Sequence, residues 1–206
     1  MTAAKPLILQ IGFNRCATQS QARFFQDNDI PTLHWEKGKI ALQFFDDMKE
    51  GRAPFSKTPE AVAYLDMIHV DYSVCLEPYK EFEYLYKHHP NAYFIMNTRH
   101  CEDWLRSRSQ HRAFIARMKD VLGVGRDEDV INYWRIDWYD HHAKVLRFFS
   151  QHNDARLLLF DIDRHDGKEL ADFLAPDFPD IDSSLYGHTD VTKRRYVAAG
   201  QRVAAT

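Results

Sequence analysis

The stretch LILQIGFNRCATQS, residues 7–20, sets a continuous apolar run directly before a glycine and a polar segment. An apolar run as short as residues 7–11 predicts a strand that is buried on both faces, as in a parallel sheet. The small and hydroxyl-bearing residues that follow predict a loop and then a helix that begins near Thr18. This strand–loop–helix unit indicates an α/β fold, and its loop is the first place to look for a binding site.

Two further strong strands are predicted along the chain, at residues 92–97 and 156–160. Residues 32–35 are predicted to form a short strand, and residues 61–68 fit a helix and a strand equally well. Helical spacing occurs at residues 39–49, from about residue 102, at residues 127–150 and at residues 167–174. Strands separated by helices predict a three-layer α/β domain, with a central parallel sheet flanked by helices. The 206 residues fit a single domain.

The composition is that of an ordinary globular protein, with 45% hydrophobic residues, 28% charged residues and a formal net charge of -3. This charge excludes the global positive field of a nucleic-acid-binding protein, so any anion site must be built locally. Three cysteines without a C-x-x-C pair favour a reducing, cytoplasmic setting over a disulfide framework. The apolar run at residues 7–11 is too short for a signal sequence or a bilayer span, so no membrane partner is expected.

Residues 12–20 carry the chemistry expected of an anion-binding loop. The start of the following helix offers unpaired backbone N–H groups and the positive end of the helix dipole. Arg15 adds a permanent charge with a planar fork of donors, and Thr18 and Ser20 add hydroxyl groups. The nucleotide-triphosphatase pattern G-x-x-x-x-G-K-[ST] fails here, because Ala17 and Thr18 stand where its second glycine and its lysine would be. The loop therefore predicts a phosphate or sulfate site whose cation comes early, at Arg15.

A second candidate segment follows the strand at residues 92–97. Arg99 leaves the end of that strand, and Ser107 lies eight residues further on, in the next helix. A guanidinium fork and a hydroxyl group at this spacing are expected to converge on one phosphate. The alternative is that Arg99 pairs with Glu102 or Asp103 and only closes the turn.

Both segments resemble signatures of the PAPS-dependent sulfotransferases of bacterial type, where PAPS is 3′-phosphoadenosine 5′-phosphosulfate. The 5′-phosphosulfate loop of that family is a basic residue followed by a small residue, Gly, Thr and then Thr or Ser. Here Arg15 is the basic residue, Ala17 replaces the usual Gly, and Gln19 replaces the usual second hydroxyl residue. The 3′-phosphate signature is an arginine at a strand end with a serine eight residues beyond it, as at Arg99 and Ser107.

The resemblance extends to a closing strand–helix unit at residues 157–174 and so covers most of the chain. It implies a P-loop NTPase-like sulfotransferase fold and an enzyme that moves a sulfuryl group from PAPS to a hydroxyl or amine. The acceptor would be a small molecule or a glycan, adenosine 3′,5′-bisphosphate would be released, and no metal would be required. The donor-binding residues implied in this way are Asn14, Arg15, Cys16, Ala17, Thr18, Gln19, Ser20, Arg99 and Ser107, with Lys193 and Arg194 in the basic tail.

The resemblance also implies catalytic roles for Arg15 and for a base near the end of the second or third strand. Arg15 would stabilise the charge on the leaving phosphate and the sulfuryl oxygens, and would do so only electrostatically because arginine keeps its proton. The family has a His or Glu at the end of one of these strands. His34 is the first candidate for the base, Glu36 the second and Asp66 the third.

Two other functions stay open. A P-loop kinase-like nucleotide phosphotransferase is disfavoured by the missing lysine and by the lack of an aspartate for Mg²⁺ at a strand end beside the loop, since Asp161 alone ends a strong strand. A non-catalytic sulfotransferase-like binding protein is kept open by Ala17 and Gln19. The sequence leaves the acceptor and the oligomeric state undetermined.

Asp137 and His141 stand one helical turn apart, which predicts an ion pair. The alternative is that they line an acceptor pocket together with Trp134 and Trp138. The histidine pairs at residues 88–89 and 141–142 lack the spacing of metal ligands, so no metal site is predicted.

Overall fold

The computed structural model describes residues 5–187, so Lys193 and Arg194 lie outside the described residues. The strands are β1 (Ile8–Gln10), β2 (Thr32–His34), β3 (Ala63–Leu65), β4 (His69–Val70), β5 (Cys75–Leu76), β6 (Tyr93–Thr98) and β7 (Arg156–Asp161). The helices are α1 (Thr18–Asp27), α2 (Lys39–Lys49), α3 (Phe82–His88), α4 (Cys101–Ser109), α5 (Arg112–Leu122), α6 (Asp127–Phe149) and α7 (Gly167–Leu174). Between residues 5 and 187, no helix is long and apolar enough to cross a membrane.

Five strands form one parallel sheet in the order β2-β3-β1-β6-β7, and β4 pairs with β5 as a separate antiparallel hairpin. The predicted three-layer α/β architecture is therefore confirmed. From β1 the chain moves outward to β2, returns to β3, and then crosses to the other side of β1 for β6 and β7. The direction in which the sheet grows reverses at β1, and ligands of such sheets bind in the crevice at this point.

The central strands are buried on both faces, because side chains alternate between two apolar cores. Leu9 and Phe94 belong to the core that contains α4, α5 and α6, whereas Ile8 and Ile95 belong to the core that contains α1 and α7. A strand with two buried faces needs no polar alternation, which explains the continuous apolar run at residues 7–11.

The short elements differ most from the sequence-based expectations. Residues 61–68, which fit a helix and a strand equally, contain β3. The helical segment from about residue 102 is two helices, α4 and α5, and the hairpin of β4 and β5 is not predicted at all. Trp35 lies outside β2, because its backbone φ of +60° ends the strand there.

Candidate functional site

A cavity of about 950 Å³ opens at the carboxyl ends of β1, β3 and β6. Most residues of the first candidate loop line it, and so do both residues of the second candidate segment. The predicted donor-binding residues that line the cavity are Asn14, Arg15, Ala17, Thr18, Gln19, Ser20, Arg99 and Ser107. The structure thus brings together two segments that the sequence separates by some 80 residues.

The first loop depends on close contact between β1 and β6. A Cβ atom on Gly12 would lie 2.1 Å from the carbonyl oxygen of Asn97, so only glycine fits. The Asn97 side chain then supports the loop, since its Nδ2 donates to the carbonyl oxygens of Phe13 at 3.2 Å and Cys16 at 2.6 Å. Trp104 supports it from α4, where its Nε1 donates to a carbonyl oxygen of the loop at 2.9 Å. These three hydrogen bonds tie the loop backbone to β6 and α4.

The loop places the start of α1 at the edge of the cavity. Arg15 and Ala17 have left-handed backbone conformations, with φ of 64° and 58°, which turn the chain into the helix. Within the described chain, no side chain caps the start of α1, and no acidic residue stands in its first turn. The first backbone N–H groups of α1 can therefore serve an anion.

Two arginines contribute positive charge to this part of the cavity. Arg15 Nε donates to Ser107 Oγ at 3.2 Å, which joins the two candidate segments directly. Arg99 Nη2 lies 3.9 Å from Asp163 Oδ1, and its buried Nε has no hydrogen-bond partner among residues 5–187. An unpartnered buried guanidinium N–H is costly unless a ligand accepts from it.

The alternative interpretation of Arg99, a pair with an acid of its own turn, is wrong. Arg135 binds Glu102 at 2.9 Å, and Arg106 binds Asp103 at 2.7 Å. Glu102 and Asp103 therefore pair with other arginines.

Asp66, the third candidate for the base, is the one of the three that lines the cavity. His34 does not line the cavity, but its Nε2 lies 3.2 Å from Thr18 Oγ1 and 3.6 Å from Asp66 Oδ2. Glu36 is exposed and does not line the cavity. Burial raises the pKa of Asp66, and His34 and Arg15 oppose this effect. Of the three candidate bases, Asp66 thus lies at the cavity wall and His34 lies next to it.

Cys16 contributes only its backbone to the loop. Its side chain is 1% exposed and packs in the core, and it does not line the cavity. Burial raises the pKa of the Cys16 thiol to about 12, so the thiol is protonated and inert at neutral pH.

The predicted ion pair between Asp137 and His141 is wrong. Lys80 Nζ binds Asp137 at 2.7 Å, and His141 Nε2 lies 2.7 Å from the carbonyl oxygen of Ile11. Burial lowers the pKa of His141 to about 4, so the ring is neutral and cannot serve as a cation. Neither these residues nor Trp134 and Trp138 line the cavity, so the structure does not place them at an acceptor pocket there.

The expectation about aspartates at strand ends also needs correction. Asp66 directly follows β3, which pairs with β1, so an aspartate does stand beside the first loop. Its N–H donates to Gln10 Oε1 at 2.8 Å, which ties it to the end of β1. The sequence does not show that Asp66 ends a strand, because β3 is too short to be distinguished from a helix by its pattern. Among residues 5–187, no cluster of three or more His, Cys, Asp or Glu side chains is suited to a metal ion.

Part of the cavity wall comes from residues that sequence reasoning missed. The β4–β5 hairpin contributes His69, Asp71 and Tyr72, and α5 contributes Phe114 and Arg117. A turn signal is present in the sequence, since Asp, Ser and their neighbours favour tight turns, but it does not show that the turn faces the loops.

This chain matches no family model and no curated protein.

Proposed function

We propose that this protein is a PAPS-dependent sulfotransferase with a P-loop NTPase-like fold, which moves a sulfuryl group to an acceptor hydroxyl or amine. The observation that carries the proposal is that both segments resembling sulfotransferase signatures line one cavity, where Arg15 donates a hydrogen bond to Ser107. Two local resemblances that meet in space support a common ligand more strongly than either one alone.

The residues present fit an anionic donor with a 5′-phosphosulfate and a 3′-phosphate. The uncapped start of α1 and the Arg15 guanidinium suit the 5′ group. The unpartnered Arg99 Nε and the Ser107 hydroxyl suit the 3′-phosphate. When bound, PAPS supplies a sulfuryl group that its link to phosphate has already activated. A cavity of about 950 Å³ is large enough for a nucleotide and an acceptor together.

In the proposed reaction, the acceptor oxygen bonds to sulfur while the bond from sulfur to the 5′-phosphate oxygen breaks. The electron pair of that bond leaves with adenosine 3′,5′-bisphosphate. The Asp66 carboxylate takes the acceptor proton, and His34, 3.6 Å away, holds the carboxylate as a positioning residue. Arg15 stabilises the negative charge that grows on the leaving phosphate.

Calorimetric titration with adenosine 3′,5′-bisphosphate, beside ATP with Mg²⁺, tests the proposal. We expect the bisphosphate to bind, and to bind more tightly than ATP. Arg99→Gln should weaken its binding by about tenfold to a hundredfold, because charged hydrogen bonds contribute roughly 1.5–3 kcal/mol. Arg106→Gln is the matched control: Arg106 is 60% exposed and pairs with Asp103, so its variant should bind like the wild type.

A kinase-like phosphotransferase acting on ATP is the second candidate, and the place of Asp66 beside the loop favours it. A carboxylate at the end of β3 is available to hold Mg²⁺ on a bound nucleotide. Tight binding of ATP that needs Mg²⁺ and is lost in Asp66→Asn would assign the protein to this class.

The remaining outcomes separate the other possibilities. Binding of the bisphosphate without transfer from PAPS to any acceptor in a broad screen would identify a sulfotransferase-like binding protein. Binding of neither nucleotide would overturn the proposal.

A further inference from the structure

The cavity extends beyond the two donor segments, on one side of β1. Because the strand order is β2-β3-β1-β6-β7, the ends of β2 and β3 lie on the opposite side of the first loop from the ends of β6 and β7. Arg99 and Asp163 line the cavity on the β6 and β7 side, and Asp66 lines it on the β3 side. If the donor occupies the loops after β1 and β6, as the proposed function requires, the acceptor must occupy the β2 and β3 side.

The wall on the acceptor side combines apolar and aromatic side chains with charged and polar ones. Ile68, Val70 and Phe114 line it, together with two aromatic side chains that are exposed to solvent, Trp35 at 48% and Tyr72 at 64%. Exposed aromatic rings on the wall of a cavity are suited to contact the flat face of a ligand ring. These aromatic rings favour a ligand ring with an apolar face, and the charged side chains on the same wall can bind a polar group that the ring carries.

Asp71, the second aspartate on this side, has hydrogen-bond partners for both of its carboxylate oxygens. Asp71 Oδ1 accepts hydrogen bonds from the backbone N–H groups of Ser73 at 2.7 Å and Val74 at 2.9 Å, and Oδ2 lies 3.3 Å from His69 Nε2. These hydrogen bonds hold the pKa of Asp71 well below its ordinary value. Asp71 therefore shapes the hairpin turn and is not needed to neutralise a ligand or a neighbouring cation.

Arg117 lacks such a partner. Its guanidinium carbon lies 5.9 Å from the centre of the Tyr72 ring, and no carboxylate of residues 5–187 lies within ion-pair distance of it. Lys37 lines the same part of the cavity and likewise pairs with no carboxylate of the described chain. Lys37 is exposed and water can solvate its charge, whereas Arg117 is partly buried, so a ligand that brings a negative charge would satisfy the Arg117 guanidinium.

We propose that the acceptor is a hydroxyl-bearing ring compound that carries a carboxylate, which Arg117 binds. The inference rests on the proposed function. The ring packs against Phe114 and Tyr72, and the planar fork of Arg117 matches the two carboxylate oxygens. The ring hydroxyl then faces Asp66, which takes its proton as the oxygen bonds to sulfur and the bisphosphate leaves with the electron pair.

Calorimetry on the protein saturated with adenosine 3′,5′-bisphosphate tests the inference. The probes are 4-hydroxybenzoate and 3-(4-hydroxyphenyl)propanoate, each compared with its neutral primary amide. We expect the wild type to bind at least one carboxylate about tenfold or more tightly than its amide, and Arg117→Gln to lose this preference. Arg112→Gln is the matched control on the same helix, since Arg112 is 71% exposed and does not line the cavity.

A preceding titration of the free protein with the bisphosphate gives the bisphosphate affinity and separates the two proposals. Failure of the wild type to bind the bisphosphate would overturn the proposed function. If the bisphosphate binds, equal affinity for acid and amide, binding of neither, or an unchanged preference in Arg117→Gln would overturn the carboxylate inference alone. Tighter binding of glucuronate than of both aromatic acids would also overturn it, because the acceptor would then be an acidic sugar.

Discussion

Asp66 combines three properties that are costly for a surface residue and useful for a base. Its backbone has a left-handed conformation, with φ of +50°. Its Oδ1 is buried and has no hydrogen-bond partner among the described residues, and burial raises the pKa of the carboxyl. Strained backbone and unpartnered polar atoms persist where they serve a function. Asp66 Oδ2 lies 3.6 Å from His34 Nε2, too far for a hydrogen bond, and the Asp66 side chain is 17% exposed, so Oδ2 is the oxygen that can accept a proton from a substrate.

Asp66→Asn should abolish turnover and leave donor binding intact. The amide keeps the size of the carboxyl but cannot accept a proton, so we expect the rate to fall by at least about a hundredfold. The rate is measured as release of adenosine 3′,5′-bisphosphate from PAPS with a hydroxyl acceptor. Asp172→Asn, at a residue that is 66% exposed on α7, is the control and should keep the wild-type rate.

The pH dependence of the wild type gives a second test of the same residue. The base must be ionised, and the pKa of Asp66 is raised above that of an ordinary carboxyl. As the pH is lowered, the rate should therefore fall with a midpoint at a higher pH than a solvent-exposed aspartate would give.

An Asp66→Asn variant that turned over near the wild-type rate would exclude Asp66 as the base and make His34 the first candidate again.

At the scale of elements, the start of α1 decides the shape of the phosphate loop. The chain enters α1 through Ala17, whose φ of 58° is the left-handed conformation that glycine adopts most easily. The sulfotransferase pattern that this loop resembles has glycine at this position. The backbone keeps its left-handed turn although the residue is alanine. The methyl group of Ala17 therefore lowers the free energy of unfolding without changing the local fold.

Ala17→Gly should therefore stabilise the protein. Left-handed backbone costs an L-residue about 1–2 kcal/mol, and glycine loses about 0.5–1 kcal/mol more than alanine in chain entropy. The net gain in the free energy of unfolding should be roughly 0.5–1 kcal/mol, measured by urea denaturation. Ala116→Gly, within α5, should change stability in the opposite direction by about 1 kcal/mol. A loss of stability in Ala17→Gly would show that the alanine methyl group contributes packing that outweighs the backbone strain.

The elements also show which parts of the structure a sequence can predict. β1, β6 and β7 are predicted because their apolar runs are bounded by clear turns, and the helices at residues 39–49 and 167–174 are predicted at their observed bounds. β3 is ambiguous because three paired residues carry too little periodicity to separate a strand from a helix. The hairpin of β4 and β5 is missed for the same reason.

The site residues that the sequence predicts are likewise those beside the long strands, and the ones it misses lie on short elements or depend on packing. Residues of the loops that adjoin long strands, such as Arg15 and Arg99, are found from local pattern alone. Asp66 ranks below His34 in the sequence because local pattern does not specify which strand end faces the cavity. Arg117 is missed because its place depends on how α5 packs against the hairpin, a contact between segments far apart in the chain.

At the scale of the whole molecule, a buried ion cluster joins the turn before α3 to α4 and α6. Lys80 Nζ lies 2.6 Å from Glu77 Oε2 and 2.7 Å from Asp137 Oδ1, and Arg108 Nη2 lies 3.2 Å from Glu77 Oε1. Arg108 is 1% exposed and its guanidinium carbon lies 4.7 Å from the ring centre of Trp134. A buried cation of this kind is tolerated only while its carboxylate partner stays ionised.

Glu77→Gln should lower the free energy of unfolding by about 3 kcal/mol at pH 7, because it removes the carboxylate that pairs with the buried Arg108 and the partly buried Lys80. Burial by itself would raise the pKa of Glu77, but Lys80 and Arg108 overcome it and lower the pKa to about 2. The stabilisation is therefore present above the pKa of an unfolded glutamate, near 4.5, and is lost as the pH falls toward 2. Urea denaturation across this range should show the wild type and Glu77→Gln converging in stability as the pH falls.

The control is Glu102→Gln, at a residue that is 53% exposed and pairs with Arg135; this variant should lower the free energy of unfolding by less than about 1 kcal/mol. A difference between wild type and Glu77→Gln that stayed constant with pH would mean that the glutamate contributes through packing, and that its charge does not hold α4 and α6 together.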